Sequence, residues 1–410
     1  MVDTREIFHD LESGNYTGVI YKNLSLKKKI VAYFASYGDG TIADLCRELN
    51  ASIPTITKLL SELIDDGFVL DFGKVETGGG RRPNIYGLDP ESGFFLGVEV
   101  KTNSLNIALF DFKKNLVKLV ENQAYILQNS HESLDALCDQ ICVFVNELSI
   151  EKEKILGLGV NLSGRVKSET GYSYSFFHFE EEPLSKVIES KVGIKTYLEN
   201  DTRAMAYGEY ECGVVTGEKN VLFINLNRGI GLGMFIDGKL YYGKSGFAGE
   251  LGHIPLFDNE ELCHCGKKGC LETEASGLAL ENAFVERLKE GSSSSLSKKF
   301  ERNEKITLED IINAANNEDI LAIELIAQIG EKMGRAIALL INLFNPDLVI
   351  LGGAISAAGD YVRLPLKSAI NKYSLSLVNS DTNLKVSKLG ERAGVFGACL
   401  LVRSKLLGLM

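Results

Sequence analysis

The stretch FLGVEVKTNSLNIALFDFKKNLV, residues 95–117, has a second copy in this 410-residue chain, VLFINLNRGIGLGMFIDGKLYYG at residues 221–243. Both copies read as an apolar strand, a polar turn, a second strand, an aspartate (Asp111 or Asp237), a turn with a lysine and a third strand. The offset between them is 126 residues throughout, which disfavours two unrelated hairpins. Helical segments follow each copy. The repeat predicts two similar α/β lobes with a ligand-binding cleft between them.

The composition indicates a soluble globular protein with more than one domain. A formal charge of -11 excludes a protein that coats nucleic acid nonspecifically, because such binding needs an excess of lysine and arginine. Residues 20–86 differ, since they hold nine Lys and Arg against eight Asp and Glu. No apolar run is long enough to span a membrane and the N-terminus lacks an apolar signal core. We therefore expect a cytoplasmic protein with no membrane partner.

Residues 24–86 read as three short helices followed by two strands around a glycine loop. The first helix is predicted to start at a Ser25 cap. The second is predicted to start at Thr41, and the third to run from Ser52 to Gly67. This order is typical of a winged helix-turn-helix, whose recognition helix faces base edges in the major groove. A small three-helix domain that binds no DNA is the alternative, because it shows the same periodicity.

The candidate DNA-reading residues lie in two places. The first turns of the third helix offer short or polar side chains: Ser52, Pro54, Thr55, Thr57 and Lys58. The wing offers Arg81 and Arg82, which follow three glycines and can approach phosphate or a minor groove without steric crowding. We expect double-stranded DNA to be the partner of this segment.

A cysteine cluster occurs in CHCGKKGC, residues 263–270. Three thiolates, from Cys263, Cys265 and Cys270, together with one imidazole complete a tetrahedral Zn2+ shell with no open position. The predicted zinc site is therefore structural and not catalytic. A cluster of reduced thiols without metal is the alternative.

Residues 246–274, GFAGELGHIPLFDNEELCHCGKKGCLETE, resemble the ROK family of repressors, open reading frames and sugar kinases. The family signature is a Gly-His followed by C-x-C-G-x-x-G-C-x-E. It is matched without a gap by Gly252, His253, Cys263, Cys265, Gly266, Gly269, Cys270 and Glu272. The resemblance extends to the GGRRP wing, to END at 199–201 and to NPDLVILGG at 345–353.

The resemblance implies an α/β fold in two parts. An N-terminal winged helix-turn-helix is followed by a duplicated actin-like, sugar-kinase-like (RNase H-like) two-lobe domain. The expected boundaries are 1–90 for the winged helix with its N-terminal arm, 91–200 for the first lobe and 201–410 for the second lobe with its zinc loop. These boundaries leave open that the C-terminal helix packs on the first lobe instead of the second.

The resemblance also implies which residues bind a sugar and which histidine binds zinc. The sugar-binding set falls on Ser163, Gly164, Asn200, Asp201, Glu250, His253 and Glu272. Carboxylates and amides suit a polyol because they accept and donate hydrogen bonds in pairs. His253 takes the place of the fourth zinc ligand, and His264 is expected to point away. Each polar residue has an ordinary alternative, and Asp201 could instead cap the helix that follows it.

Kinases of this family use the aspartate that corresponds to Asp201 of this chain as general base, and they hold the phosphates of ATP on two glycine turns. This chain departs from both turns. In place of D-x-G-G-T it has EVKTN at 99–103, and in place of G-T-G-x-G-x-G it has NRGIGLG at 227–233. Because glycines let backbone N–H groups reach phosphates, we expect that ATP binding is lost and that the protein is not an enzyme.

The resulting hypothesis is a sugar-responsive transcriptional regulator, a repressor of carbohydrate-utilisation genes. Its effector would be a sugar or sugar phosphate, and it would act as a homodimer or homotetramer on an inverted-repeat operator. One alternative is a kinase that phosphorylates a hexose or N-acetylhexosamine and carries a DNA-binding appendage. Another is a metabolite-binding protein whose winged helix contacts proteins instead of DNA.

Overall fold

A computed structural model describes residues 7–8, 18–74, 83–179 and 181–410. The helices are α1 Gly18–Tyr37, α2 Ile42–Leu49, α3 Ile53–Asp65, α4 His131–Asn146, α5 Leu184–Val192, α6 Asp201–Cys212, α7 Leu271–Ala275, α8 Gly277–Lys289, α9 Ser297–Glu301, α10 Leu308–Asn316, α11 Ile320–Phe344, α12 Asp360–Tyr373, α13 Ser376–Ser380 and α14 Ala393–Leu407. The strands are β1 Val69–Lys74, β2 Asn84–Leu88, β3 Phe94–Val100, β4 Ser104–Asp111, β5 Leu116–Ala124, β6 Ile155–Leu162, β7 Val166–Lys167, β8 Tyr172–Ser173, β9 Thr196–Asn200, β10 Val221–Leu226, β11 Ile230–Ile236, β12 Lys239–Leu240, β13 Leu348–Gly352 and β14 Asn383–Val386.

The N-terminal elements form the predicted winged helix-turn-helix. Thr41 caps α2 in a reciprocal capping box with Asp44, and the Ser52 side chain accepts from the backbone N–H of Thr55 at the start of α3. Strands β1 and β2 pair antiparallel as the two strands of the wing. The predicted start of the first helix is wrong, because α1 begins at Gly18 and Ser25 lies inside it. No proline or glycine interrupts the residues between Gly18 and Ser25, so nothing stops the helix there.

Two five-stranded sheets have the same topology, which confirms the predicted duplication. The first has the order β5-β4-β3-β6-β9 and the second the order β12-β11-β10-β13-β14. In each sheet three antiparallel strands are followed by two parallel ones. The metal loop and five helices, α7 to α11, are inserted between β12 and β13 of the second sheet.

The constant offset of 126 residues is only partly correct. In the first hairpin Val100 pairs with Leu105, whereas in the second Leu226 pairs with Ile230. The second turn is therefore one residue shorter, and the pairing register of β11 shifts by one residue relative to β4. The lysine turn of the second copy is shorter as well, since Ile236 pairs with Lys239 whereas Phe110 pairs with Leu116.

Two compact units divide the chain. One comprises Met1–Asp201 together with Ala398–Met410, and the other comprises Thr202–Gly397. Helix α14 thus belongs to the second unit at its start and to the first unit for most of its length. The boundaries predicted at residues 90 and 200 stay predictions.

The winged helix shares its hydrophobic core with the rest of the first unit. Its buried side chains pack in one cluster with Phe95 of β3, with Phe112 and with Leu406 of α14. Phe112 makes an edge-to-face contact with Phe8, at 5.8 Å between ring centroids, and lies 5.6 Å from Phe95. Helices α1 to α3 are therefore packed onto the first sheet and are not on a free tether. Among the described helices, none combines the length and apolar character needed to cross a membrane.

Candidate functional site

The cysteine cluster brings together the four residues predicted to bind zinc. One ligand atom from each of His253, Cys263, Cys265 and Cys270 lies within 4.8 Å of all the others. The loop is shaped by its own backbone, since the N–H of Cys263 donates to Lys267 O and the N–H of Gly266 donates to Cys263 O, both at 2.8 Å. A bridge between Pro255 and Cys270 closes the base of the loop. This donor set could hold a metal ion.

Two distances between ligand atoms of the cluster match those of a tetrahedral zinc shell. Zinc–sulfur bonds of about 2.3 Å and zinc–nitrogen bonds of about 2.05 Å put two sulfurs about 3.8 Å apart, and a sulfur and a nitrogen about 3.6 Å apart. The Sγ atoms of Cys265 and Cys270 are 3.7 Å apart. Cys263 Sγ lies 3.6 Å from His253 Nδ1. The residues therefore fit the predicted ion without rearrangement of these pairs.

Protonation of the thiols sets a condition on metal binding. Burial raises the pKa of the Cys270 thiol to about 12, and burial also raises the pKa of Cys263. A hydrogen bond from the backbone N–H of Lys267 lowers the pKa of Cys265. The thiols of Cys263 and Cys270 are thus neutral at physiological pH unless a cation compensates the charge of the thiolate.

His253 faces the cysteines with one ring nitrogen and a carboxylate with the other. Its Nδ1 points to Cys263, while its Nε2 lies 3.8 Å from Glu250 Oε2. A metal on Nδ1 leaves the proton on Nε2, which then donates toward Glu250 or a ligand hydroxyl. The same imidazole can therefore serve both the metal and a polyol.

Glu272 joins the metal loop to the second hairpin. Its Oε2 accepts from the backbone N–H of Ile230 at 3.0 Å, and its Oε1 lies 3.1 Å from His264 Nδ1. The expectation that His264 points away is wrong, because its ring lies beside this carboxylate. The same Nδ1 atom of His264 is 3.8 Å from Cys263 Sγ. His264 is thus a neighbour of the candidate sugar residues that sequence reasoning missed. The only sequence signal for this contact is that an acidic residue, Glu272, follows His264 by eight positions.

The remaining candidate sugar residues form a second group, in the first unit. Asn200 ends β9 and Asp201 begins α6. The Asn200 amide donates to Gly164 O and to Asp201 Oδ1, both at 3.0 Å. Ser163 is half-buried beside the exposed Gly164 in the turn after β6. The amide therefore holds the aspartate against the turn that replaces the family's Pro-Gly loop.

Both positively charged side chains of the degenerate phosphate turns face carboxylates. Lys101 Nζ lies 4.0 Å from Glu99 Oε2, and Arg228 Nη1 lies 4.0 Å from Glu281 Oε2. Glu99 is buried and also accepts from the Asn106 amide at 2.8 Å. Nearby acids thus offset the charge that either turn could offer to an anion.

The glycines kept in the second turn have a packing role. A Cβ on Gly231 would lie 2.1 Å from Thr202 Oγ1, and a Cβ on Gly233 would lie 2.5 Å from Ala206 Cβ. Both contacts are with α6, so these glycines let that helix pack closely against β11. Their presence is therefore explained without a nucleotide.

Helix α3 presents most of the predicted DNA-reading residues to solvent. Ser52, Pro54, Thr57 and Lys58 are exposed and Thr55 is half-buried. Ser52 also has a structural role, since its Oγ lies 2.8 Å from Thr55 Oγ1 and caps the helix. Ile53 is 63% exposed on the same turn. It is an additional candidate for DNA contact, and its apolar side chain is not among the polar residues predicted from the sequence. Arg81 and Arg82 lie outside the described residues.

The chain resembles both regulators and kinases. A model described as the ROK family matches residues 95–405. A xylose repressor from Caldicellulosiruptor bescii is 30% identical over 355 residues, which cover 86% of this chain and 89% of the relative. A glucokinase from Halalkalibacterium halodurans is 32% identical over 257 residues, which cover 62% of this chain and 78% of the relative.

A solved structure agrees over nearly the full length. The crystal structure of a ROK family transcriptional regulator, a homologue of the E. coli MLC protein, superposes with a TM-score of 0.79 at 28% identity and covers 95% of this chain and 97% of its own. The family match spans most of the chain and includes the metal loop. These matches show that the chain belongs to the ROK family.

Proposed function

We propose that this chain is a sugar-responsive transcriptional regulator, a repressor of carbohydrate-utilisation genes. The observation that carries the proposal is the winged helix-turn-helix that precedes the ROK region. The family match begins at residue 95, whereas α1 to α3 and the two wing strands end at Leu88. The full-length likeness to a solved regulator and the long match to a xylose repressor support the same function.

The DNA contacts are assigned to α3 and the wing. Thr57 and Lys58 are exposed beside the half-buried Thr55, and the apolar Ile53 suits contact with a thymine methyl group. Arg81 and Arg82 would add phosphate or minor-groove contacts. Two copies in a homodimer or homotetramer would read an inverted repeat, with half-sites spaced by about one helical turn or a multiple of it. The protein would act on its operator in the cytoplasm.

Replacing Lys58 with alanine is expected to weaken operator binding about tenfold. Lys58 is exposed and its Nζ lies 3.8 Å from Glu62 Oε1, so its ammonium is available to a phosphate. The slope of log affinity against log salt should fall by about one, because one counterion fewer is released. Fluorescence anisotropy at several salt concentrations measures both effects. Lys239→Ala, which changes an exposed lysine in the second unit, is the control. An unchanged slope in Lys58→Ala would rule out this contact.

The effector is proposed to be a sugar or sugar phosphate held by the residues named above in each unit. In the first unit these are Ser163, Gly164, Asn200 and Asp201. In the second unit they are Glu250, His253 and Glu272. The support is chemical, since paired amide and carboxylate groups suit vicinal hydroxyls and His253 Nε2 is positioned to donate.

The ion in the cysteine cluster is proposed to be Zn2+ with a structural role. Three sulfurs and one nitrogen within 4.8 Å of one another are a donor set that zinc prefers. When bound, the ion would tie the loop to the base of α7 and fix the orientation of His253.

A sugar kinase is the second candidate, because a glucokinase is among the relatives. We expect no measurable phosphorylation of hexoses or N-acetylhexosamines, since both phosphate turns carry side chains in place of glycines and their cations face carboxylates. A coupled ADP assay, with an active glucokinase alongside, tests this. Turnover that disappears in Asp201→Asn would show that the chain is an enzyme and that Asp201 is its general base.

A further inference from the structure

A cavity of about 330 Å³ lies in the second unit, between α11, α12, α13 and the edge strand β14. This volume is within the range of small-molecule sites, which starts at roughly 300 Å³. Its lining includes none of the residues assigned above to sugar, metal or DNA. Nothing in the proposed function accounts for it.

The cavity has an apolar floor and a polar, basic rim. Ile341, Val349 and Ile370 line it and are almost fully buried, so they form the floor. Lys367 and Asn371 line it from α12 and are exposed, so they lie at the rim. This arrangement suits a ligand with a compact body and a charged group at one end.

The two cations of the rim differ in their partners. Arg363 donates from Nε and Nη2 to Asp360 Oδ1, at 2.8 and 2.6 Å, which holds its guanidinium in place. Lys367 forms no ion pair within the described parts of the chain, so its charge is not compensated by an acid. Asp360 offsets the charge of the Arg363 guanidinium, so the ammonium of Lys367 supplies the uncompensated positive charge of the rim, which favours an anion.

Amide and hydroxyl side chains complete the lining. Asn379 donates to Asn371 Oδ1 at 2.8 Å, which orients both amides, and Asn383 and Thr382 continue the rim along the edge strand. Such groups pair with hydroxyls as donors and acceptors. We propose that this cavity is a ligand site, separate from the predicted sugar residues, that binds a hydroxylated phosphomonoester about the size of a monosaccharide, with Lys367 supplying the charge and Arg363 further N–H donors. This proposal does not rest on the proposed function.

The test separates this site from the predicted sugar residues. Glucose 6-phosphate and ribose 5-phosphate are titrated by calorimetry into the full chain carrying Asp201→Asn and Glu250→Gln. We expect at least one of them to bind. Adding Lys367→Gln should weaken that binding at least about tenfold, because a charge-assisted contact is lost. Adding Lys372→Gln, which changes an exposed lysine of α12 outside the lining, should change it less than about twofold.

Three results would overturn the proposal. The first is no binding of either probe to the Asp201→Asn, Glu250→Gln chain. The second is equal binding by the Lys367→Gln and Lys372→Gln chains. The third is equally tight binding of inorganic phosphate alone, which would mean that the organic body is not recognised. Asn371→Ala provides a second lining variant if Lys367→Gln unfolds, and it should weaken the probes but not inorganic phosphate.

Discussion

Replacing Cys270 with serine is expected to abolish both metal binding and the response of DNA affinity to sugar. Cys270 is fully buried at the base of the loop, and a neutral hydroxyl is a poor substitute for a zinc thiolate. Without the ion, His253 loses its anchor, and the loop that carries His264 toward Glu272 is released. Zinc content should fall from about one ion per chain to near zero, measured by mass spectrometry of the purified protein.

The winged helix should survive this change. It lies in the first unit and its core contains no residue of the metal loop. Operator binding without sugar should therefore stay within about threefold of the wild type, whereas the sugar effect disappears. Cys212→Ser, at an exposed cysteine outside the cluster, is the matched control and should change neither property. A Cys270→Ser chain that keeps its sugar response would show that the metal only ties down the loop.

Replacing Arg403 with methionine should loosen the winged helix from the first sheet. Arg403 on α14 is 1% exposed, and its Nε donates to Phe112 O at 3.0 Å. Its Nη2 donates to Ala35 O of α1 at 3.4 Å. Losing both charge-assisted bonds while the carbonyls stay buried costs about 3 kcal/mol or more. Hydrogen exchange of α1 and α3 amides should accelerate, because local opening becomes less costly.

Operator affinity should fall with the Arg403→Met change even though Arg403 is not assigned a DNA contact. The hydrophobic cluster that joins α1, α3, Phe112 and Leu406 sets the position of α3, to which the proposed function assigns DNA contacts, and a loosened helix must be ordered again on binding. Arg403→Lys keeps the charge but not the fork of donors, so an intermediate effect is expected. Unchanged exchange in α1 and α3 would contradict this role for Arg403.

The repeat and the caps made much of the fold predictable. Alternating strand and turn signals in the two copies correspond to sheets of the same order. Thr41 and Ser52 act as helix caps because their side-chain oxygens accept hydrogen bonds from backbone N–H groups of the first turn, a local effect that the sequence reveals. The start of α1 was not predictable in this way, since a helix without a breaker can extend until packing no longer supports it.

The candidate site was predictable to the extent that spacing along the chain determines it. The three cysteines of the loop lie close together because only a few residues separate them along the chain: Cys263, Cys265 and Cys270. The contact of His264 with Glu272 depends on which way one exposed ring turns, and several rotamers were open to it. The basic cavity was not predictable from the sequence, because no motif or spacing within residues 341–384 shows how α11, α12, α13 and β14 pack around it.

The proposed function requires that this chain binds operator DNA and that a sugar changes its affinity for that DNA. The most direct measurement selects DNA from a random library with the full chain at physiological salt and then titrates the selected DNA with a panel of sugars and sugar phosphates. We expect an inverted repeat, and at least one sugar that changes its affinity about tenfold or more in the wild type but not in Glu250→Ala. Selected DNA without a repeat, or an affinity for DNA that no sugar alters, would contradict the proposed function.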